Sequence, residues 1–419
     1  MEILEIANKI KEKGGRLYLV GGAVRDELLG KQVHDEDYCV TGLSQMEFEE
    51  LFPNAFKRGK FFGVYDIEHR EFALARSETK TGPGHKEFEI STEKSITIEQ
   101  DLARRDITIN SMAKDVLTEE IIDPYNGKKD LQDKRIKATT LAFREDPLRV
   151  YRVARFAAQL EFTVEKNTLN LMNSLKDELN TLSGERVFEE FKKGLATRKP
   201  SIFFETLKKA EVLDVHFKEI YDLIGSTQPE KYHPEGDSYN HTMEVVDNAA
   251  KLTNDLATRF SALVHDFGKG TTPKEMLPHH YGHDKRGVTL VENFGRRVVI
   301  PKTWQKCGKT SAKEHMLGGI FEQMTVQKQV DFITRVAKSR LGLEGMKIVV
   351  ICDRTRNGQK AEEVKFDIIG KELLSTINGD YIKQKYEIKD ERGIGELLRR
   401  ERIEWLKKNI KKILKWKSF

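Results

Sequence analysis

The sequence predicts an α+β protein: a small mixed-sheet head followed by all-helical regions to the end of the chain. Three observations predict it. Short apolar runs of strand length crowd the first third, such as Leu17-Tyr18-Leu19-Val20 and the alternating REFALARSE at 70–78. From about 139 the periodicity turns helical, as in RVYRVARFAAQL, ERVFEEFKKGLA and SIFFETLKKAEVL. At 419 residues the chain is also too long for one compact domain.

The head is expected over 1–138. Its first apolar run enters Gly21-Gly22, a helix-like stretch follows, and Asp35 and Asp37 come after it. On a strand, residues i and i+2 share a face, so the two carboxylates would stand side by side. Such a pair can hold hard divalent cations through oxygen. Two magnesium ions roughly 3.5–4 Å apart are the usual device for in-line attack on a phosphate. Gly21 and Gly22 let the backbone approach a triphosphate, and Arg25 lies on the helix that follows. Glu71, on the alternating segment, is the best third carboxylate; an ordinary strand-surface charge is the alternative. The stretch 77–86 (SETKTGPGHK) is glycine-rich and polar and reads as a mobile loop.

A helical neck is expected over 139–225. In it, Glu145-Asp146-Pro147-Leu148-Arg149 places Asp146 and Arg149 three apart, on one face of a helix. A carboxylate offers acceptors and a guanidinium a fixed fork of donors, so the pair could read the edge of a base. It could equally be a helix start with Asp146 as cap and Pro147 in the first turn. Arg152, one turn on, would meet phosphate. Glu185 and Glu189 would brace the same helix.

The turn-rich GSTQPEKYHPEG at 225–236 marks a boundary. A second helical domain is expected over 226–350, and a helical C-terminal region over 351–419. In that last region Leu398, Trp405, Leu406, Ile410, Ile413 and Leu414 fall near helical spacing among lysines and arginines. This reads as an amphipathic helix packed on the body, or as a contact to a nucleic-acid backbone.

The net charge of +5 is only mildly basic, so any electrostatic binding of RNA must come from local patches. Cys39, Cys307 and Cys352 are widely spaced and form no metal or redox pattern. The N-terminus has no signal-peptide pattern and no apolar run is long enough to span a membrane, so a reducing cytoplasm is expected.

Ordered motifs then accumulate: the Gly-Gly turn with Asp35 and Asp37, RRDITINSMA at 104–113, DPYNG at 123–127, EDPLR at 145–149 and ERVFEEF at 185–191. Together they resemble the class II tRNA nucleotidyltransferases, the CCA-adding enzymes of the polymerase-β-like superfamily. The resemblance runs through about the first half of the chain and continues more loosely beyond. It implies that Asp35 and Asp37 bind Mg²⁺ and are catalytic, and that Gly22, Arg25, Arg105, Arg149, Arg152 and Asp146 bind nucleotide. Arg105 would contact triphosphate or sugar, while Asp106 pairs with an arginine to order its loop. Asp146 and Arg149 would serve as an amino-acid template. The implied partners are tRNA with CTP and ATP as substrates, and no membrane, for a monomer or homodimer.

Downstream, Tyr239-Asn240-His241-Thr242 is followed by Leu263-Val264-His265-Asp266-Phe267-Gly268-Lys269-Gly270, then by His279-His280-Tyr281-Gly282-His283. These resemble the HD phosphohydrolases. Imidazole with carboxylate suits a transition metal such as Ni²⁺ or Mn²⁺. The resemblance implies His241, His265, Asp266 and Asp353 as ligands, and hydrolase activity on RNA 2′,3′ ends. The chain departs from the pattern at His315-Met316, where related chains carry a further His-Asp.

Three readings remain beside the leading one. The first is an enzyme adding only CC, only A, or a poly(A) tail. The second is an HD phosphohydrolase whose head merely binds nucleotide. The third is a non-catalytic RNA-binding protein.

Overall fold

The computed structural model describes residues 2–33, 35–58, 64–80, 88–91, 93–229, 236–355, 363–387 and 394–416. They form two compact units, 1–186 with 205–212, and 187–204 with 213–419. No described helix is long and apolar enough to cross a membrane.

The first unit is built on a mixed sheet. Its strands are β1 (Arg16–Val20), β2 (Asp37–Thr41), β3 (Phe56–Arg58), β4 (Val64–Ile67) and β5 (Arg70–Leu74). A separate hairpin follows as β6 (Ser77–Lys80) and β7 (Phe88–Ser91), and the sheet ends with β8 (Ala113–Asp115) and β9 (Ile121–Ile122). The order across the sheet is β3-β4-β5-β2-β1-β8-β9. Within this sheet β2 and β5 run parallel and the other described pairings are antiparallel. β1 is a continuous apolar run because both of its faces are covered. Leu17 joins Ile6, Tyr38, Phe48 and Phe72 on one side, while Tyr18 and Val20 join Cys39, Ile98 and Leu102 on the other. Period-two alternation thus feeds two separate cores.

One expectation changes here. The stretch read as a loop at 77–86 begins as strand: Ser77–Lys80 pairs antiparallel with Phe88–Ser91. Alternating side chains are not needed where a hairpin is held by its backbone ladder, so the composition did not signal it. The rest of that loop, 81–86, lies outside the described residues.

The second unit is helical. Phe191, Phe203, Phe217 and Phe294 cluster with ring centroids 5.6 Å apart for Phe191–Phe217 and for Phe203–Phe217. Helices Ser238–Leu252, Leu256–Val264, His283–Arg297, Lys302–Gly319 and Gly342–Arg354 pack around a common centre. Gly308 lets two of them touch, since a Cβ there would stand 2.8 Å from both Phe260 and Val264. The final described helix, Ile394–Trp416, buries Ile403 and Leu406 against this unit, and Trp405, Ile410 and Ile413 pack beside them. Its apolar stripe is therefore spent on packing. Arg399 pairs with Asp331 at 2.7 Å and Arg402 donates to the Ile377 carbonyl.

Candidate active sites

In the first unit, Asp37 opens β2 and stands in register with Glu71 on the parallel neighbour β5. Asp35 lies just before the strand, so strand alternation does not place it beside Asp37; the incoming link does. Burial pushes the Asp37 carboxyl above the usual carboxylate range, the charges of Glu71 and Asp35 push the same way, and Arg105 opposes them. The charges of Asp35 and Glu71 thus both act on Asp37, as carboxylates near a hard cation site would. Their all-oxygen donor set fits Mg²⁺.

The glycine turn belongs to this site. Gly21 has φ +72°, and a Cβ on it would stand 2.9 Å from Arg105 Nη1. Glycine is favoured there by the left-handed backbone, and its missing Cβ leaves room for the guanidinium beside it. Arg105 is aimed by Asp101, which is 1% exposed and takes Arg105 Nη2 at 3.1 Å and Arg104 Nη2 at 2.7 Å. Gly22 starts the helix Gly22–Leu28. Arg25 on that helix is buried; it donates to Asn110 Oδ1 at 2.7 Å and to both oxygens of Asp26. Its fork is occupied as a brace.

Asp106 pairs with an arginine as expected, and that arginine is Arg152: Nε and Nη2 each lie 2.7 Å from Asp106 Oδ2. The contact expected between Arg152 and phosphate is thus already filled by a carboxylate. The DPYNG motif is a packing device. Asp123 accepts from the Gly127 and Lys128 amides, and a Cβ on Gly127 would lie 2.4 Å from the Thr108 carbonyl.

The EDPLR segment differs from its helical reading. The helix starts at Arg149, and Asp146 sits before it in extended conformation. Pro147 cannot follow a helical residue comfortably, which explains the break. Arg149 turns inward and donates to the Ala142 carbonyl. Asp146 instead accepts from Arg186 Nη2, at 3.1 Å, and from the Leu148 amide at 3.0 Å. Arg186 Nη1 is buried and makes no hydrogen bond among the described residues, leaving a donor beside the Asp146 carboxylate. Glu185 and Glu189 are exposed, so Arg186 is the residue of that motif that braces Asp146. Its signal was the same ERVFEEF run.

In the second unit, His241, His265, Asp266 and Asp353 converge, with ligand atoms all within 4.8 Å of one another. His241 Nε2 lies 3.1 Å from Asp353 Oδ1, and His265 Nε2 lies 3.3 Å from Asp266 Oδ2. Two helices, Ser238–Leu252 and Gly342–Arg354, supply His241 and Asp353, and the turn after Val264 supplies His265 and Asp266. His265 Nδ1 faces the Ala262 carbonyl at 2.7 Å, which fixes its tautomer and leaves Nε2 for a metal. Burial would push the Asp266 carboxyl up, but the Lys269 ammonium at 2.5 Å and the surrounding imidazoles hold it well below its usual range. A buried imidazole–carboxylate set of this kind fits a transition metal. His283 and His315, outside the expected ligand set, also reach this cluster. Beside it lies a cavity of about 460 Å³, whose walls include Lys269, His280, Tyr281 and Asp353.

Gly268 sets this geometry. A Cβ on it would stand 1.9 Å from the His283 carbonyl, so only glycine lets the turn after Asp266 touch the His283–Arg297 helix. Gly268→Ala is expected to spread the cluster and to cut the metal retained after desalting by more than about tenfold, as read by elemental analysis.

Comparison with known proteins fits these two sites. Residues 17–137 match the poly A polymerase head domain, 161–223 a probable RNA and SrmB-binding site of polymerase A, and 238–318 the HD domain. A multifunctional CCA protein of Shewanella denitrificans is 44% identical over 308 residues, 72% of this chain and 74% of the relative. One of Cupriavidus metallidurans is 44% identical over 311 residues, with the same shares. The chain belongs to the multifunctional CCA protein family. Among solved structures, the Thermotoga maritima CCA-adding enzyme complexed with tRNA is similar in fold, with TM-score 0.64 at 21% identity over 96% of this chain and 90% of that one. As a member of the multifunctional CCA proteins, the chain joins a nucleotidyltransferase head to an HD domain.

Proposed function

We propose that this chain adds C, C and A to the 3′ end of tRNA from CTP and ATP, releasing pyrophosphate, and that its HD domain hydrolyses phosphate esters at RNA 2′,3′ ends. The observation that carries the first activity is the Asp35–Asp37–Glu71 trio set against Arg105 and the Gly21 turn. Asp35, Asp37 and Glu71 would hold Mg²⁺. When bound, magnesium activates the tRNA 3′-hydroxyl and neutralises the leaving pyrophosphate. Arg105, aimed by Asp101, receives triphosphate oxygens as a fork of donors. The Gly21 and Gly22 backbone lets that triphosphate come close.

Asp146 presents carboxylate acceptors to the base edge, steadied by Arg186; Arg149 secures the start of its helix and is the second residue of the template pair. Asp146→Ala should raise incorporation of the wrong nucleotide at least about tenfold while Mg²⁺ affinity stays unchanged. Single-nucleotide gels with each NTP alone read the first effect. Ordered addition of C, C and A by this variant at normal rates would remove Asp146 from the selection role.

In the HD domain, His241, His265, Asp266 and Asp353 would hold Ni²⁺ or Mn²⁺. When bound, the metal polarises the phosphoryl oxygen and lowers the pKa of water. Lys269 lies at the cavity wall where a substrate phosphate would enter, and Gln228 Oε1 holds its ammonium at 2.6 Å. The volume suits a nucleoside phosphate. The four-region division at 138, 225 and 350, a cytoplasmic location and a monomer or homodimer belong to the same reading. The three free, buried thiols agree with a reducing compartment.

The direct test is extension of tRNA lacking its 3′ end. CTP alone should add two residues, and CTP with ATP three. Arrest at two with both nucleotides means a CC-adding enzyme, and long tails from ATP alone mean a poly(A) polymerase.

A further inference from the structure

We infer that His279 and Tyr281 form a stacking platform for the terminal nucleobase of the RNA end that the HD domain hydrolyses. The inference names the base-binding part of that substrate and rests on the phosphohydrolase reading.

The lining of the cavity divides by burial. Lys269 and His315, on its inner side, are buried and face Asp266. Tyr281 and Met316 line the same cavity and are 70% and 49% exposed. A buried charged floor with an open apolar rim suits a nucleotide whose phosphate points inward and whose base stays at the mouth. Met316 stands where related chains carry an acid. It gives the rim a polarizable thioether, which packs well against an aromatic ring.

The two rings of the rim already stack on each other. His279 and Tyr281 have centroids 5.8 Å apart and planes 25° from parallel. The backbone under them is fastened. His280, between them, donates from Nε2 to the Thr227 carbonyl at 3.0 Å and accepts at Nδ1 from the Thr272 hydroxyl at 2.8 Å. Arg286 donates from Nη1 to the Tyr281 carbonyl at 2.7 Å and from Nη2 to the Thr272 hydroxyl at 2.9 Å. Gly282, with φ +73°, then turns the chain into the His283–Arg297 helix. Little backbone ordering is left to be lost when a ligand arrives, which is how a preorganised site gains affinity.

A stacked ring pair left in the open gains little from its own burial, and a base laid on it would cover the exposed face. Every nucleobase has such a face, so the platform accepts any base that ends the RNA. Tyr281 is then a positioning residue: it sets where the sugar and its phosphate lie against the buried groups.

The test compares hydrolysis of two compounds by the full chain with Ni²⁺ supplied. One is adenosine 2′,3′-cyclic phosphate, and the other is methyl riboside 2′,3′-cyclic phosphate, which lacks the base. Tyr281→Ala should lower the ratio of kcat/KM for the first over the second about tenfold, through KM, with kcat for the adenosine compound within about twofold of wild type. Tyr281→Phe and Tyr281→Trp should keep the wild-type ratio, and the cytidine compound should respond as the adenosine compound does. A second readout needs no turnover. In an Asp266→Asn background, the indole added by Tyr281→Trp should be quenched by the adenosine compound and not by the base-free one. A ratio unchanged by Tyr281→Ala, an equal fall with Tyr281→Phe, or equal quenching by both compounds overturns the platform and leaves the phosphohydrolase reading standing. A wild-type chain that hydrolyses neither compound overturns both.

Discussion

Asp37→Ala should reduce nucleotide addition by at least about a thousandfold while tRNA binding persists. Removing a single group that stabilises developing charge already costs about a hundredfold to a thousandfold, and a metal carboxylate serves both the attacking and the leaving oxygen. The same variant should keep or raise its melting temperature. Burial, Glu71 and Asp35 all push the Asp37 carboxyl up, so the wild-type fold holds that charge against its own interest. Sites kept for function at a cost in stability gain stability when neutralised. Extension assays, filter binding and a thermal melt read the three effects. Retained addition would displace Asp37 from the centre of the chemistry.

Asp266→Asn should abolish the phosphohydrolase activity, by more than about a hundredfold, and leave CCA addition within about twofold of wild type. Asp266 is the carboxylate shared by every imidazole of the cluster and by Lys269. The amide keeps the shape but loses the charge, so Lys269 loses its counter-ion and the metal its central ligand. Hydrolysis of bis-p-nitrophenyl phosphate with added Ni²⁺ reads the loss. Equal loss of CCA addition would mean that the substitution unfolds the chain.

How much of this was legible in the sequence depends on the kind of information each element carries. The head was readable because its strands alternate or run continuously apolar, and because Gly21-Gly22 punctuates the end of the first of them. His265, Asp266 and His241 were readable as a local pattern. Asp353 was visible only through resemblance, because the helix carrying it arrives from far along the chain. His283 and His315 were in view as residues, but their convergence on Asp266 Oδ1 depends on how the His283–Arg297 and Lys302–Gly319 helices pack. The Asp146–Arg186 pair was missed because a spacing of three suggested Arg149, whereas Pro147 takes Asp146 off the helix. Charge alone does not reveal that Asp106 holds Arg152.

The most direct measurement uses tRNA that lacks its CCA end and terminates in a 2′,3′-cyclic phosphate. The full chain is given this RNA with CTP, ATP, Mg²⁺ and Ni²⁺, and products are resolved at single-nucleotide length. Two chemistries in one chain predict growth by three residues, since the HD domain frees the hydroxyl that the head extends. Asp266→Asn should leave the blocked RNA unextended yet add three residues to the same RNA ending in a free hydroxyl. Failure of the wild-type chain to extend the blocked RNA, or its extension by Asp266→Asn, would contradict the account.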